Sequence, residues 1–299
     1  MKRVSVGFSN RWHGSAKRLL ASLGALVASV SMSAQEPVRI AGSDLLGEPF
    51  AESLKAYAHR EGIAVTLDLS GSRAGIEKLN TDTAEIAFVM LAPDEALPAG
   101  KWAADPMAYR VAIVAVPARV ELSQLSLTEL DGFFGASGPA GYTQWRHAGV
   151  EGPLAPLTVT THVLAGRADE LSTEIFQHIA LRGKRLKPAV QRHISVETLR
   201  EKMGSEEGGL AILPVPPTAA EWTSLAIARG ENDPAFSPTL ENIHHGDYPL
   251  RWPVWVVYRE RANAQVKALL RFVWSDEAAQ ALCEGSDCLP LPASVRAQK

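Results

Sequence analysis

The chain has 299 residues, 46% of them hydrophobic and 21% charged, with 33 acidic against 30 basic residues and two cysteines. Residues 1–34 hold Lys2, Arg3, Arg11, Lys17 and Arg18 but no acid, so leaving them out lowers the formal net charge from −3 to about −8. An acidic chain of this kind argues against nucleic acid as a partner. It leaves room for a small anion, which local dipoles and one or two arginines can hold inside an acidic envelope.

In residues 1–34 the basic stretch runs into "LLASLGALVASV" and then the small residues of "SMSA". This is the pattern of a secretory signal peptide cleaved near Ser33 or Ala34. The apolar run of about a dozen residues is too short to span a bilayer, and no cysteine stands at the cleavage site to take a lipid. The expected location is the periplasm or the medium, with the protein free and monomeric.

The remaining length is at the size where one core divides into two. "VRIAGSD" (38–44) reads as a buried strand running into a turn. "EPFAESLKAYAHREG" has helical spacing, with Phe50, Leu54 and Tyr57 on one face and Gly62 as its stop. "IAVTLDLSG" alternates as a strand, "GIEKLNTDT" is helical and "AEIAFVM" is a third strand. The order βαβαβ implies an α/β lobe with a largely parallel sheet. After the β-prone "YRVAIVAVPA" the pattern restarts. "LSLTELDGFFG" is a short helix capped by Ser126 or Thr128, "LTVTTHVL" a strand, "DELSTEIFQHIAL" and "VETLREKMG" helices, and "GGLAILPV" a strand. "YPLRWPVWVVY" returns as a strand, and "AQVKALLRFVWSDEAAQALC" supplies two closing helices. The second lobe is thus expected to be inserted in the first: 35–115 and 246–299 for lobe 1, 116–245 for lobe 2.

Between the second strand and the second helix, "SGSRAGIEKL" (70–79) puts small residues and an arginine before a helix start. The first N–H groups of a helix lack intrahelical acceptors and lie at the positive end of its dipole, so an oxyanion can satisfy them, with Ser72 adding a hydroxyl. The other reading is that Ser72 only caps the helix. Cys283 and Cys288, five apart in "LCEGSDCLP", are expected to close that turn as a structural disulfide in an oxidising compartment. No histidine flanks them to complete a zinc site. His244, His245 and Asp247 form the one histidine cluster. Adjacent side chains of a strand-like segment face opposite ways, so it reads as a solvated loop and no metal is expected. "GSRAG" lacks the spacing of a serine nucleophile's turn, so no catalytic residue is assigned and no cofactor is implied. Trp252 and Trp255 read as core or hinge packing.

Taken together, "IAGSDLL", "SGSRAGIEKL", "LSLTELDGFFGASGPAGYTQW", "YPLRWPVWVVY" and "VKALLRFVWSDEAAQALCEGSDCLPLP" resemble, in order, five segments of the phosphate-binding component of ABC transporters. That family has the type 2 periplasmic-binding-protein fold, and the chain looks like a divergent member. The resemblance implies a non-enzymatic protein that holds a small anionic solute between two lobes. It implies an ABC permease as partner, or a membrane sensor where binding is impaired and the protein serves as a scaffold. It places the ligand on two Gly-Ser turns, an acidic residue after the third strand, and an arginine with a Gly-Ser-Gly-Thr helix start in the second lobe. Here the first turn offers Ser43, with Asp44 or Leu45 where a hydroxyl is usual. The second offers Ser72 and Arg73. Met90 stands at the acidic position, and Arg167 with Ser172 or Thr173 stands in "AGRADELSTEIF", which has no Gly-Ser-Gly-Thr. A thioether accepts hydrogen bonds weakly, so Met90 leaves the proton of hydrogen phosphate without an acceptor.

Overall fold

The computed structural model describes residues 36–92, 95–98, 100–138, 141–166, 170–204, 208–217, 220 and 222–299. The expected signal segment and Arg167 lie outside them. The first strand, β1 (Val38–Gly42), is buried along most of its length, as a parallel strand covered on both faces must be. α1 (Glu48–Arg60) carries Pro49 in its first turn, where no N–H is needed, and buries Phe50, Leu54 and Ala58 one turn apart. β2 (Val65–Asp68) pairs parallel with one edge of β1. α2 (Ser72–Asn80) crosses over to β3 (Ile86–Met90), parallel on the other edge.

The run read as one strand in "YRVAIVAVPA" is two: β4 (Trp102–Val111) and β5 (Ile113–Pro117), which belong to different sheets. Ala112 is the break. Its N–H donates to the Leu250 carbonyl at 2.9 Å, and its own carbonyl accepts from the buried Tyr248 hydroxyl at 2.8 Å. β6 (Gln124–Ser126) leads into α3 (Leu127–Phe134). Ser126 rather than Thr128 caps it, in a reciprocal box with Glu129. Then follow β7 (Thr160–Leu164), α4 (Glu170–Ile179), β8 (Gln191–His193), α5 (Val196–Gly204), β9 (Gly209–Leu213), β10 (Trp222–Ser224), β11 (Ala226–Ala228) and β12 (Ala235–Phe236). His244 and His245 are not in a loop but end a short helix, α6 (Leu240–His245), capped by Thr239 and stopped by Gly246 in the left-handed region at φ 90°. β13 (Arg251–Arg259) returns between β3 and β4, antiparallel to both. α7 (Ala264–Val273), α8 (Asp276–Gly285), β14 (Leu289–Pro290) and α9 (Ala293–Arg296) close the chain.

Three sheets result, in the orders β14-β4-β13-β3-β1-β2, β10-β5-β9-β7-β8 and β12-β11-β6. One apolar cluster fills one face of the first sheet around Phe50, Phe88 and Phe272, with Phe50 edge-on to Phe88 at 5.3 Å. A smaller one, with Leu79, Ala87, Val89 and Val257, covers the other face. The largest surrounds the second sheet and takes in Tyr248, Leu250 and Trp252 where the chain crosses between sheets.

The expected disulfide is not formed: both cysteines are free. Cys283 is exposed in the last turn of α8, whereas Cys288 is buried in the core of the first sheet. The turn is closed instead by Ser286, whose hydroxyl donates to the Leu282 carbonyl at 2.9 Å and accepts from the Cys288 N–H at 3.3 Å.

Candidate functional site

The two Gly-Ser turns at the ends of β1 and β2 are joined through backbone. Gly42, at φ 139°, lies so close to β3 that a Cβ would sit on the Phe88 carbonyl, which accepts from the Ser43 N–H at 2.8 Å. The Gly71 N–H donates to the Gly42 carbonyl at 2.7 Å, and a Cβ on Gly75 would come within 2.9 Å of the Gly42 Cα. The first turn of α2 therefore rests directly on the exit of β1, an approach that only glycine at these positions allows. Ser43 is buried and its hydroxyl oxygen accepts from the Leu45 N–H at 3.2 Å, capping a 3-10 turn, while Asp44 beside it is exposed.

Ser72 is not the cap of α2. Gly71 holds that position with no side-chain hydrogen bond, and Ser72 is the first helical residue. Its oxygen accepts from the Met90 N–H at 2.9 Å, which leaves the hydroxyl proton to donate. The leading N–H groups of α2 have no intrahelical acceptor. Ser72 and Arg73 line a cleft of about 500 Å³ together with Ser43, Asp44, Leu45 and Met90 on one side and Leu171, Glu174, His178 and Trp252 on the other. Arg73 reaches outward to Glu95 at 2.9 Å with 90% of its side chain exposed. The other oxygen of Glu95 accepts from the Ala92 N–H at 3.1 Å, and these bonds, Arg73's first, hold its carboxyl below the usual range.

On α4, Ser172 and Thr173 turn away from this cleft. Both are buried, and the Thr173 hydroxyl donates to the Leu164 carbonyl at 2.7 Å, tying the helix to β7. The helix presents Leu171, Glu174 and His178 instead, spaced three and four apart on one face. That spacing is visible in the sequence, but which face meets the cleft depends on how α4 packs on the second sheet. Glu174 is exposed at the edge of the cleft; partial desolvation, with Glu170 adding repulsion, raises its carboxyl above its ordinary value. His178 meets the Trp252 ring edge-on at 5.5 Å. Among the described lining residues the carboxylates are Asp44, Glu95 and Glu174, against the single guanidinium of Arg73.

A family model described as a PBP superfamily domain matches residues 28–277. No curated protein sequence matches the chain. Solved structures do. PstS from Borrelia burgdorferi is 16% identical with a TM-score of 0.69, covering 86% of this chain and 100% of that one. A possible phosphate binding protein from Planctomyces limnophilus is 14% identical with a TM-score of 0.63, covering 88% and 95%. An ABC-type phosphate transport receptor from Vibrio cholerae is 17% identical with a TM-score of 0.60, covering 83% and 97%. At such identities the likeness is one of fold.

Proposed function

We propose that this chain, which belongs to the PBP superfamily and has the two-lobed type 2 fold, is an exported solute-binding protein that hands a small anionic solute to the permease of an ABC transporter. The observation that carries this reading is the uncapped start of α2, opening with Ser72 and Arg73 onto the cleft. Because β5 pairs in the second sheet, the lobe boundaries expected at 115 and 246 are moved to the break at Ala112 and the crossing at Leu250. Residues 35–112 with 251–299 are taken as one lobe and 113–250 as the other, and hinge closure brings α4 toward α2. Ser72 and the N–H groups behind it donate to the ligand, Arg73 balances its charge, and Met90 walls the floor without offering a strong acceptor. Ser43, Ser172 and Thr173 hold local structure. The likeness in fold to a phosphate transport receptor and a possible phosphate binding protein lends the choice of an oxyanion its direction.

A pocket rich in donors and poor in acceptors discriminates weakly between hydrogen phosphate and sulfate. Met90→Asp restores one acceptor and shifts preference toward hydrogen phosphate by on the order of tenfold, one recovered hydrogen bond. Calorimetry on both proteins with both anions tests this; tight, phosphate-selective binding by the natural protein would overturn it.

A second reading has its own observation. Arg73 is paired with Glu95, and three carboxylates line the cleft, so the fold could serve as a scaffold or sensor that has given up tight binding. Glu95→Gln separates the two: it releases Arg73 and strengthens oxyanion binding severalfold if the cleft is a working anion site, and changes nothing if it is not.

A further inference from the structure

Beyond the cleft, and sharing Ala92, Glu95 and His178 with it, lies a cavity of about 590 Å³. That size suits a small organic molecule. Two guanidiniums, Arg229 and Arg251, line it, and among the described residues neither has a carboxylate partner. Both are anchored to the end of α6. Arg229 Nη2 donates to the Gly246 carbonyl at 2.7 Å, and Arg251 Nη1 donates to the His244 carbonyl at 3.3 Å. Arg251 also lies over the Tyr109 ring, 4.8 Å from its centroid, and a Cβ on Gly246 would come within 2.7 Å of Arg251 Nη2. The last carbonyls of a helix are its negative end, so they fix cations without neutralising them. Each guanidinium carries five N–H donors; Arg229 spends one on these carbonyls, and Arg251 spends one there and another on the Tyr109 hydroxyl, leaving further donors for a planar or tetrahedral anion. Glu95, the one carboxylate among the lining residues, is engaged on both oxygens by Arg73 and the Ala92 N–H.

Apart from His178 the remaining walls are mostly apolar: Leu91, Leu97, Ile179, Pro249, Pro253 and the half-buried Trp255. An inorganic anion seated on the arginines would turn its other oxygens toward walls that are mostly apolar, with only the His178 ring and the Trp255 indole carrying N–H groups, at a cost for each oxygen left unpaired. An anionic head on a ring or short aliphatic body satisfies both surfaces. We propose that the Arg229–Arg251 cavity is a second ligand pocket, adjoining the α2 cleft, for a carboxylate or phosphonate carried on an apolar, ring-sized body. It stands whether or not the α2 turn holds an oxyanion.

Calorimetry of the full chain with benzoate and phenylphosphonate, with benzamidine and inorganic phosphate as controls, tests it on the natural protein and on Arg229→Gln, Arg251→Gln and Ser72→Ala. Both aryl anions should bind, benzamidine should not, and either arginine variant should weaken aryl-anion binding about tenfold or more, while Ser72→Ala leaves it unchanged. Arg229 is exposed and makes one backbone bond, so Arg229→Gln carries the test alone should circular dichroism show that Arg251→Gln does not fold. Absence of aryl-anion binding at millimolar concentration, binding insensitive to Arg229→Gln, or benzamidine binding as well as benzoate overturns the pocket. Binding lost only in Ser72→Ala would place the aryl anion on the α2 turn, again overturning the second pocket.

Discussion

Glu174 shows how the cleft acts on one side chain. Its carboxyl is held above its ordinary pKa, first by desolvation and then by Glu170. When the pH lies above that raised value the residue is charged in both folded and unfolded chains, and only the folded one bears the penalty. Below the unfolded value, about 4.3, it is neutral in both and the penalty vanishes. Glu174→Gln should therefore raise the melting temperature at pH 7, slightly because the side chain is exposed and water screens much of the penalty, with the gain fading as pH falls through the carboxylate range; an equal gain at pH 3.5 would mean that packing, not charge, is responsible. The residue was not singled out in the sequence because an isolated acid on an amphipathic helix looks like any solvated position. Its meaning comes from Leu171 and His178 on the same face and from the strand beneath.

At the scale of elements, periodicity and punctuation made most helices and strands legible, because burial imposes the spacing: Phe50, Leu54 and Ala58 in α1, or the unbroken apolar run of β3. The misreadings occur where a distant partner decides. Nothing near Ala112 announces that β4 ends there; the break is fixed by Leu250 and Tyr248, more than a hundred residues on. The cysteine spacing suggested a bridge, whereas the helical course of α8 carries Cys283 to the surface and Ser286 closes the turn. Alkylation in denaturant without reductant should accordingly modify two thiols. In the native protein Cys288 should stay unmodified near neutral pH, since burial raises its pKa more than Arg110 lowers it, and Cys283, also raised by burial, should react slowly. Protein that takes up no label when denatured would show that the cysteines are bridged after all.

For the whole molecule, the chain's passage between the two large sheets is secured at one buried point by the Tyr248 hydroxyl on the Ala112 carbonyl. Tyr248→Phe leaves that carbonyl with an unmet acceptor and should cost about 1–3 kcal/mol in urea unfolding; a loss near zero would mean that water takes the hydroxyl's place. The architecture could be read from sequence because βαβ order and apolar runs are local signals. The site was half legible for the same reason: Ser43, Ser72 and Met90 lie on turns and strand ends with recognisable sequence, while Glu174, Arg229 and Arg251 enter only through packing. The contact of Gly42 with Phe88 and Gly75 bears on what selection can change. Because these turns are held largely by main chain against main chain, with Ser72 adding one bond to the Met90 N–H, positions 44 and 73 contribute little to keeping them in place. Their side chains can drift, and a lineage can exchange one cargo for another while inheriting the same frame, which is how a recognisable scaffold comes to surround an unfamiliar mouth.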